Sequence, residues 1–267
     1  MNLALIGQNI SYSLSPLIHK TSAKILGLEI SYELIDLNNS EIEDLPEIVA
    51  EKNITAFNVT KPYKLKVPGL FGDTDAKAIN TAFLKEGKWE FSSTDYLGFK
   101  FSLNKIGLDV DNIRQVIFLG NGGSALSIFE GIKNENSLCE FHVLRRSDER
   151  DGLFTGANIS FGQFSTEEFT KLTSEHRGAL IIQATPLPQM GNDLSEFASG
   201  LSLNFTGSYV DLTYGFKNKL LEKISHLGLR GCDGIPMLLG QALSSQKIWW
   251  GQSASYDQLI SEIGSKL

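Results

Sequence analysis

Cysteine is scarce in this chain of 267 residues: Cys139 and Cys232 are the only two, far apart and in neither a CxxC nor a metal-ligand spacing. Such a pair supplies no disulfide framework and no zinc site, and both are expected to be small buried side chains. Excess positive charge is also lacking, because 24 Lys and Arg stand against 31 Asp and Glu, a net charge of -7. That balance gives no general attraction for a phosphate backbone, so no nucleic-acid partner is expected. Long hydrophobic runs are missing as well. The first apolar stretch, Leu3-Ala4-Leu5-Ile6, ends at Gly7, far short of a signal peptide or a membrane span. The expectation is a cytoplasmic protein with no membrane partner.

What remains is ordinary for a globular chain. Hydrophobic residues make up 42% and charged residues 21%, enough to bury a core and too apolar for extensive disorder. The length fits one large domain or two modest ones. Short apolar runs alternate with amphipathic stretches and no repeat stands out, which predicts an α/β fold. In the first hundred residues, strands are expected at Leu3 to Ile6, Ile30 to Leu37 and Ile54 to Asn58, and helices near Pro16 to Leu26 and Glu41 to Lys52. Ser15-Pro16 reads as an N-cap with proline at the first helical position. A second series, Val116 to Leu119, Phe141 to Leu144, Ala179 to Ile182 and Tyr209 to Leu212, is apolar on both faces, as in a doubly wound parallel sheet. From about Ile235 the chain is helical in character, with Met237, Leu238, Ala242, Ile248 and Trp249 able to form an apolar face that packs back against the first domain.

Strand Val116 to Leu119 runs straight into Gly120-Asn121-Gly122-Gly123-Ser124-Ala125, a G-x-G-x-x-A dinucleotide fingerprint in the required strand-to-helix context. Gly120 suits the tight turn, Gly122 a close backbone approach to pyrophosphate, and Ala125 close helix packing. After the next strand, where an acidic residue would bind the ribose of NAD, stand Arg145, Arg146 and then Arg150. Two readings stand here: a clamp for a 2′-phosphate, or a solvated basic turn, with Asp148 and Glu149 leaving room for some NAD use. Three polar clusters follow or flank apolar strands in the first domain, where open α/β sheets place ligands. They are Ser11 to Pro16, Asn58 to Lys64 and Ser93 to Asp95.

Taken together these segments resemble the shikimate dehydrogenase family over nearly the whole chain. GQNISYSLSPLIH from Gly7 is similar to its substrate signature and NVTKPYK from Asn58 to its catalytic-lysine segment. AINTA from Ala78 and STDYLG from Ser93 resemble its VNT and NTDG segments. GNGGSA resembles its nucleotide loop, RRSDER its NRT-type clamp, QATPLPQM its NATP segment, and MLLGQA from Met237 its carboxy-terminal signature. The resemblance implies reversible NADP-dependent oxidation of shikimate to 3-dehydroshikimate in aromatic amino-acid (chorismate) biosynthesis. It implies a substrate-binding and catalytic domain of residues 1–100 plus 235–267 and an NADP-binding Rossmann domain of residues 101–234. Lys64 and Asp95 are the implied catalytic pair, because a hydride leaving or joining the ring carbon must be accompanied by a proton at the oxygen. Ser13 and Ser15 are implied carboxylate ligands, Thr60, Asn80 and Gln241 ligands of the ring hydroxyls, and Tyr214 a further carboxylate contact. The implied cofactor contacts are Gly120, Asn121, Gly122, Gly123, Ser124, Ala125, Arg145, Arg146, Arg150, Thr185 and Gly234, with no metal.

The chain departs from the family pattern at Ser93, Tyr96, Pro236, Arg145 and Gln183. Tyr96 adds bulk beside Asp95, and Pro236 lacks an amide donor. A quinate or dual-specificity dehydrogenase and a ligand-sensing homologue without turnover remain alternatives, and a monomer and a homodimer are both compatible with the sequence. His19, Trp249-Trp250 and the scattered phenylalanines read as structural, since no partner or basic stripe accompanies them.

Overall fold

Apolar runs become strands and the amphipathic stretches between them become helices in the computed structural model, which describes residues 1–73, 77–156 and 158–266. The chain divides into two compact units, Met1–Gly98 with Leu239–Leu267, and Phe99–Leu238. The first unit opens with β1 (Asn2–Gly7), α1 (Ser15–Ile25), β2 (Ser31–Asp36), α2 (Leu45–Glu51), β3 (Ala56–Val59), α3 (Val67–Leu70), β4 (Thr81–Lys85) and β5 (Lys88–Ser92). Its sheet has the order β2-β1-β3-β4-β5. The first three strands are parallel, and β4 and β5 add an antiparallel hairpin. The hairpin turns at Glu86 and Gly87, both at positive φ, the geometry of a two-residue loop that matches strand twist.

The boundary between units falls within α4 (Asp95–Lys105). Next come β6 (Gln115–Leu119), α5 (Gly123–Glu135), β7 (Glu140–Arg145), β8 (Asn158–Gln163), α6 (Thr166–Glu175), β9 (Leu180–Gln183), α7 (Ser195–Gly200), β10 (Ser208–Asp211), α8 (Lys219–His226) and β11 (Gly231–Cys232). They form a six-stranded sheet of order β11-β10-β9-β6-β7-β8, every pairing parallel. This is the doubly wound dinucleotide-binding order, which reverses between β6 and β9. α9 (Ile235–Trp250) returns the chain to the first unit, followed by α10 (Tyr256–Ile263).

Alternation along the strands feeds two apolar layers in the first unit. Ala4, Ile6, Phe57 and Val59 pack with Leu45 and Val49 of α2, while Leu3, Leu5 and Ala56 pack with Trp249 of α9. In the second unit, Ile117, Leu119, Ile181 and Tyr209 pack with Phe169, Leu172, Phe197 and Ile224 of α6, α7 and α8. Strands covered on both faces read as continuous apolar runs, which is why they stand out in the sequence.

Three local expectations are corrected. Ser15 is the first residue of α1 and not its cap; the cap is Leu14, which makes no side-chain cap hydrogen bond. The stretch 41–52 is a 3-10 turn, Ile42–Asp44, followed by α2, because Pro46 can sit only at a helix start. Cys232 is only half-buried, on β11, whereas Cys139 is fully buried. Both are unpaired thiols, and burial pushes each up to about 12. No helix among the described residues is long and apolar enough to cross a membrane.

The junction of β9 and β10 sets a strict limit on side-chain size. A Cβ on Gly207 would lie 2.0 Å from the carbonyl oxygen of Ala179, while one on Gly178 meets nothing within 4 Å. Gly207→Ala is therefore expected to destabilise the protein by about 2 kcal/mol or more, as overpacking against backbone does, and Gly178→Ala by far less. Urea denaturation of the two variants checks this, and equal midpoints would show that the β9–β10 junction yields.

Candidate functional site

The first unit gathers four of the expected polar residues from separate segments. Lys64, in a 3-10 turn after β3, places its Nζ 2.5 Å from Oδ2 of Asp95, the first residue of α4. Asp95 is 3% exposed, and a carboxylate that deep requires a partner. Its other oxygen, Oδ1, accepts from Nδ2 of Asn80 at 2.9 Å. The same amide donates to Oε1 of Gln241 on α9 at 2.9 Å, and the Asn80 Oδ1 accepts from the Thr94 backbone N–H at 2.8 Å. Lys64, Asp95, Asn80 and Gln241 thus form one connected group.

Ser13 and Thr60 stand on loops that leave the same end of the sheet, and Ser15 opens α1 beside Ser13. β1 and β3 are parallel neighbours, with Ile6 opposite Val59. Ser13 and Ser15 follow β1, with Ser13 Oγ 3.2 Å from both the Ser15 N–H and the Ser15 hydroxyl. Thr60 follows β3, its amide bonded to the Ile6 carbonyl at 2.9 Å. Lys61, held over the Tyr12 ring at 5.9 Å, has its pKa lowered by burial. Tyr214 lies in the second unit, after β10.

The second unit supplies a nucleotide cradle. Gly120 has φ +107, and a Cβ there would strike Thr185 Cγ2 at 2.8 Å, so the turn after β6 demands glycine. Asn121 donates to the Ser147 carbonyl at 3.0 Å. Gly122 caps α5, whose 13 residues begin at Gly123 and Ser124 with no carboxylate in the first turn. Ala125 is fully buried. Thr185 is held by Gln183, which accepts from its amide at 2.6 Å and its hydroxyl at 2.7 Å; this is what the glutamine departure does. A Cβ on Gly234 would meet backbone of Leu212 and Thr213 at 2.8 Å. Pro236 occupies the first turn of α9, where an amide has no intrahelical partner to lose.

Of the three arginines, Arg145 is already engaged. Its Nε contacts both carboxylate oxygens of Asp151 at 3.0 and 2.9 Å, its Nη2 lies 2.8 Å from Asp151 Oδ2, and its Nη1 donates to the Gly162 carbonyl at 3.1 Å. This differs from its expected place in the clamp, and the pairing with Asp151 raises its pKa. Arg146 and Arg150 are exposed, Arg146 stacking on Phe164 at 5.4 Å.

Behind the Lys64 group lies a buried polar layer that sequence reasoning did not assign. Asn58 Nδ2 donates to the Asn80 carbonyl, Thr81 Oγ1 and Ser245 Oγ at 3.0 to 3.3 Å, and its Oδ1 accepts from the Tyr32 hydroxyl at 2.9 Å. The available signal was an asparagine inside an otherwise apolar strand, AFNV, where a buried polar group must find partners. His19 stacks on Tyr32 with ring centroids 4.7 Å apart and meets Gln246 of α9 at 3.3 Å. Burial drives the His19 pKa down to about 3, against the opposing effect of Asn58.

A lysine–aspartate pair held among buried amides, in a chain that also carries a glycine-rich turn on a parallel sheet of Rossmann order, defines a nucleotide-dependent dehydrogenase. Residues 5–82 match the shikimate dehydrogenase substrate binding domain. The chain is 28% identical over 274 residues to the shikimate dehydrogenase (NADP(+)) of Staphylococcus aureus (strain MRSA252), covering 100% of this chain and 99% of that one. The crystal structure of shikimate dehydrogenase 1 from Peptoclostridium difficile is similar at 26% identity and a TM-score of 0.80, covering 99% of this chain and 97% of that one. That of shikimate dehydrogenase from Aquifex aeolicus is similar at 24% identity and a TM-score of 0.85, covering 98% and 97%. These likenesses to shikimate dehydrogenases run over the full length of the chain.

The neutral, buried His19 makes part of the stability acid-labile. Because its folded pKa lies near 3, below the ordinary 6.5, the unfolded chain binds a proton that the folded chain refuses as pH falls from 6.5 towards 3. Stability present above that window is lost within it, at up to about 1.4 kcal/mol per pH unit. Urea unfolding of the parent and His19→Phe between those limits should show a shallower decline in the variant; parallel declines would mean that His19 is not the group responsible.

Proposed function

We propose that this chain is an NADP-dependent shikimate dehydrogenase that interconverts shikimate and 3-dehydroshikimate. The observation that carries the reading is the Lys64–Asp95 contact at 2.5 Å, set among Asn80 and Gln241, since that group can deliver or accept a proton at a hydroxyl oxygen. The nicotinamide, when bound, supplies the hydride chemistry. In the reductive direction Lys64 Nζ donates a proton to the carbonyl oxygen as it becomes a hydroxyl, and in oxidation the lysine takes that proton back. Asp95 holds the lysine and accepts from the same hydroxyl. Asn80 fixes Asp95 through its amide, and Asn80, Gln241 and Thr60 bind ring hydroxyls. Ser13 and Ser15 present two hydroxyls at the start of α1, suited to a planar carboxylate near a helix N-terminus.

The cradle fits a dinucleotide. Gly120 keeps a Cβ out of the turn, and the start of α5 offers the positive potential of a helix N-terminus to a pyrophosphate. Gly122, Gly123, Ser124 and Asn121 border that position, with Thr185 and Gly234 on the turns beyond. Arg146 and Arg150 are the candidates for the 2′-phosphate.

Assays of shikimate and quinate against NADP and NAD test the reading, with shikimate and NADP expected to give the highest specificity constant. Lys64→Ala should lower turnover by about 10² or more with a much smaller change in substrate affinity. A folded Lys64→Ala protein with parental turnover would defeat the assignment.

Cofactor choice gives a separate check. Guanidinium groups form charge-assisted hydrogen bonds to a phosphate monoester but gain nothing comparable from a ribose hydroxyl. Replacing Arg146 and Arg150 together is expected to weaken NADP much more than NAD, whereas Arg145→Ala should act chiefly on stability by stranding Asp151. Equal losses for the two cofactors in the Arg146/Arg150 double variant would remove these residues from the phosphate site.

A further inference from the structure

We propose that Glu140, His142 and His176 bind one divalent transition-metal ion of the Zn²⁺ type, at the end of the parallel sheet opposite the nucleotide turn. Glu140 and His142 are two residues apart on β7 and so share a face of the strand. His142 lies beside Ile117 in register, on the face covered by α6. His176 directly follows α6, and its ring stacks on that of His142 with centroids 4.1 Å apart. One ligand atom from each of the three residues lies within 4.8 Å of the other two. A tetrahedral ion with Zn–N bonds of about 2.0–2.1 Å needs its ligands roughly 3.4 Å apart with their lone pairs converging, so the half-buried His176 ring must swing out of its stack on His142 and the exposed Glu140 side chain turn inward to close the set.

The surroundings favour a ligand over a chance pairing. His142 Nδ1 lies 2.7 Å from Ser160 Oγ; with the ring proton donated to that hydroxyl, Nε2 keeps its lone pair. Nε2 is buried and has no hydrogen-bond partner among the described residues, a cost that an ion would relieve. Glu140 Oε2 accepts from Gln115 Nε2 at 3.1 Å. Outer partners of this kind orient metal ligands and fix their tautomers. Glu140 and Glu175 place negative charge beside His142. Two imidazoles and one carboxylate suit Zn²⁺ better than Mg²⁺ or Ca²⁺, which prefer all-oxygen sets. β7 begins at Glu140 whereas Gly120 follows the end of the parallel β6, so the ion would tie β7 to the end of α6 and stand apart from hydride transfer.

The test is equilibrium dialysis and calorimetric titration of untagged protein with ZnCl₂ at neutral pH, together with thermal melts. One Zn²⁺ per chain is expected, with a melting temperature raised by saturating metal. Affinity should fall more than about a hundredfold in His142→Ala and in His176→Gln, beyond what outer partners alone command. Glu140→Gln, at an exposed position, should weaken binding without loss of fold and decides the matter if His142→Ala fails to fold. Failure to bind one equivalent, or binding by His176→Gln and Glu140→Gln as tight as the parent's, would overturn the site.

Discussion

The first unit is organised around the burial of one carboxylate. Asp95 is 3% exposed, and a charge so far from water persists only when its oxygens are matched by donors. One oxygen takes the ammonium of Lys64 and the other the amide of Asn80. Asn80 is fixed in turn by the Thr94 backbone and Gln241, and Asn58 ties the layer beneath to Tyr32 and Ser245. The ammonium position is therefore set jointly by the loop after β3, the start of β4, α4 and α9. Removing the Lys64 or the Asn80 donor strips a partner from the buried Asp95 carboxylate, which costs more than the bond itself contributed.

The antiparallel hairpin follows from the same demand. Parallel strands return to the same end of a sheet only after long crossovers, whereas Asn80 and Asp95 must reach one end of it within 15 residues of each other. β4 starts beside the end of β3, with Asn58 opposite Thr81, and β5 comes back so that Ser92 lies opposite Thr81. The residues just before β4 and just after β5 thereby meet beside Thr60. In the second unit the purely parallel order serves a different end, placing the Gly120 turn and the Thr185 turn next to each other where the strand order reverses.

Continuous apolar runs made the central strands of both sheets legible, as did the glycine-rich turn in its strand-to-helix setting. The residues that now form the Lys64 group were legible only through family resemblance, since one lysine, one aspartate and two amides up to 177 positions apart carry no local pattern. β4 and β5 were missed because their turn is Glu-Gly rather than the stronger Asn-Gly or Asp-Gly signal. β8 was missed because Asn158–Gln163 is an edge strand with no fully buried residue. His19 showed no partner because Gln246 is 227 residues away. What the sequence hides is consistently tertiary.

Arg145 shows how such a contact changes the meaning of a motif. By spacing it is the first of three cations at and beyond the end of β7, equivalent to Arg146 and Arg150 as a phosphate ligand. Asp151, six residues on, grips it through both carboxylate oxygens, the Gly162 carbonyl takes a third bond, and the guanidinium lies over Phe161 at 5.3 Å. A guanidinium so placed would have to release a bidentate ion pair to reach a ligand, whereas Arg146 sits in water over Phe164 and Arg150 is exposed. The ion pair also pins the end of β7 to β8 and to the turn holding Asp151, so the loop carrying Arg146, Ser147 and Arg150 leaves from a fixed point. Asn121 donates to the Ser147 carbonyl, which anchors that loop to the glycine-rich turn. The role left to Arg145 is to position the surface on which the other two arginines stand, and any preference for a 2′-phosphate then depends on them.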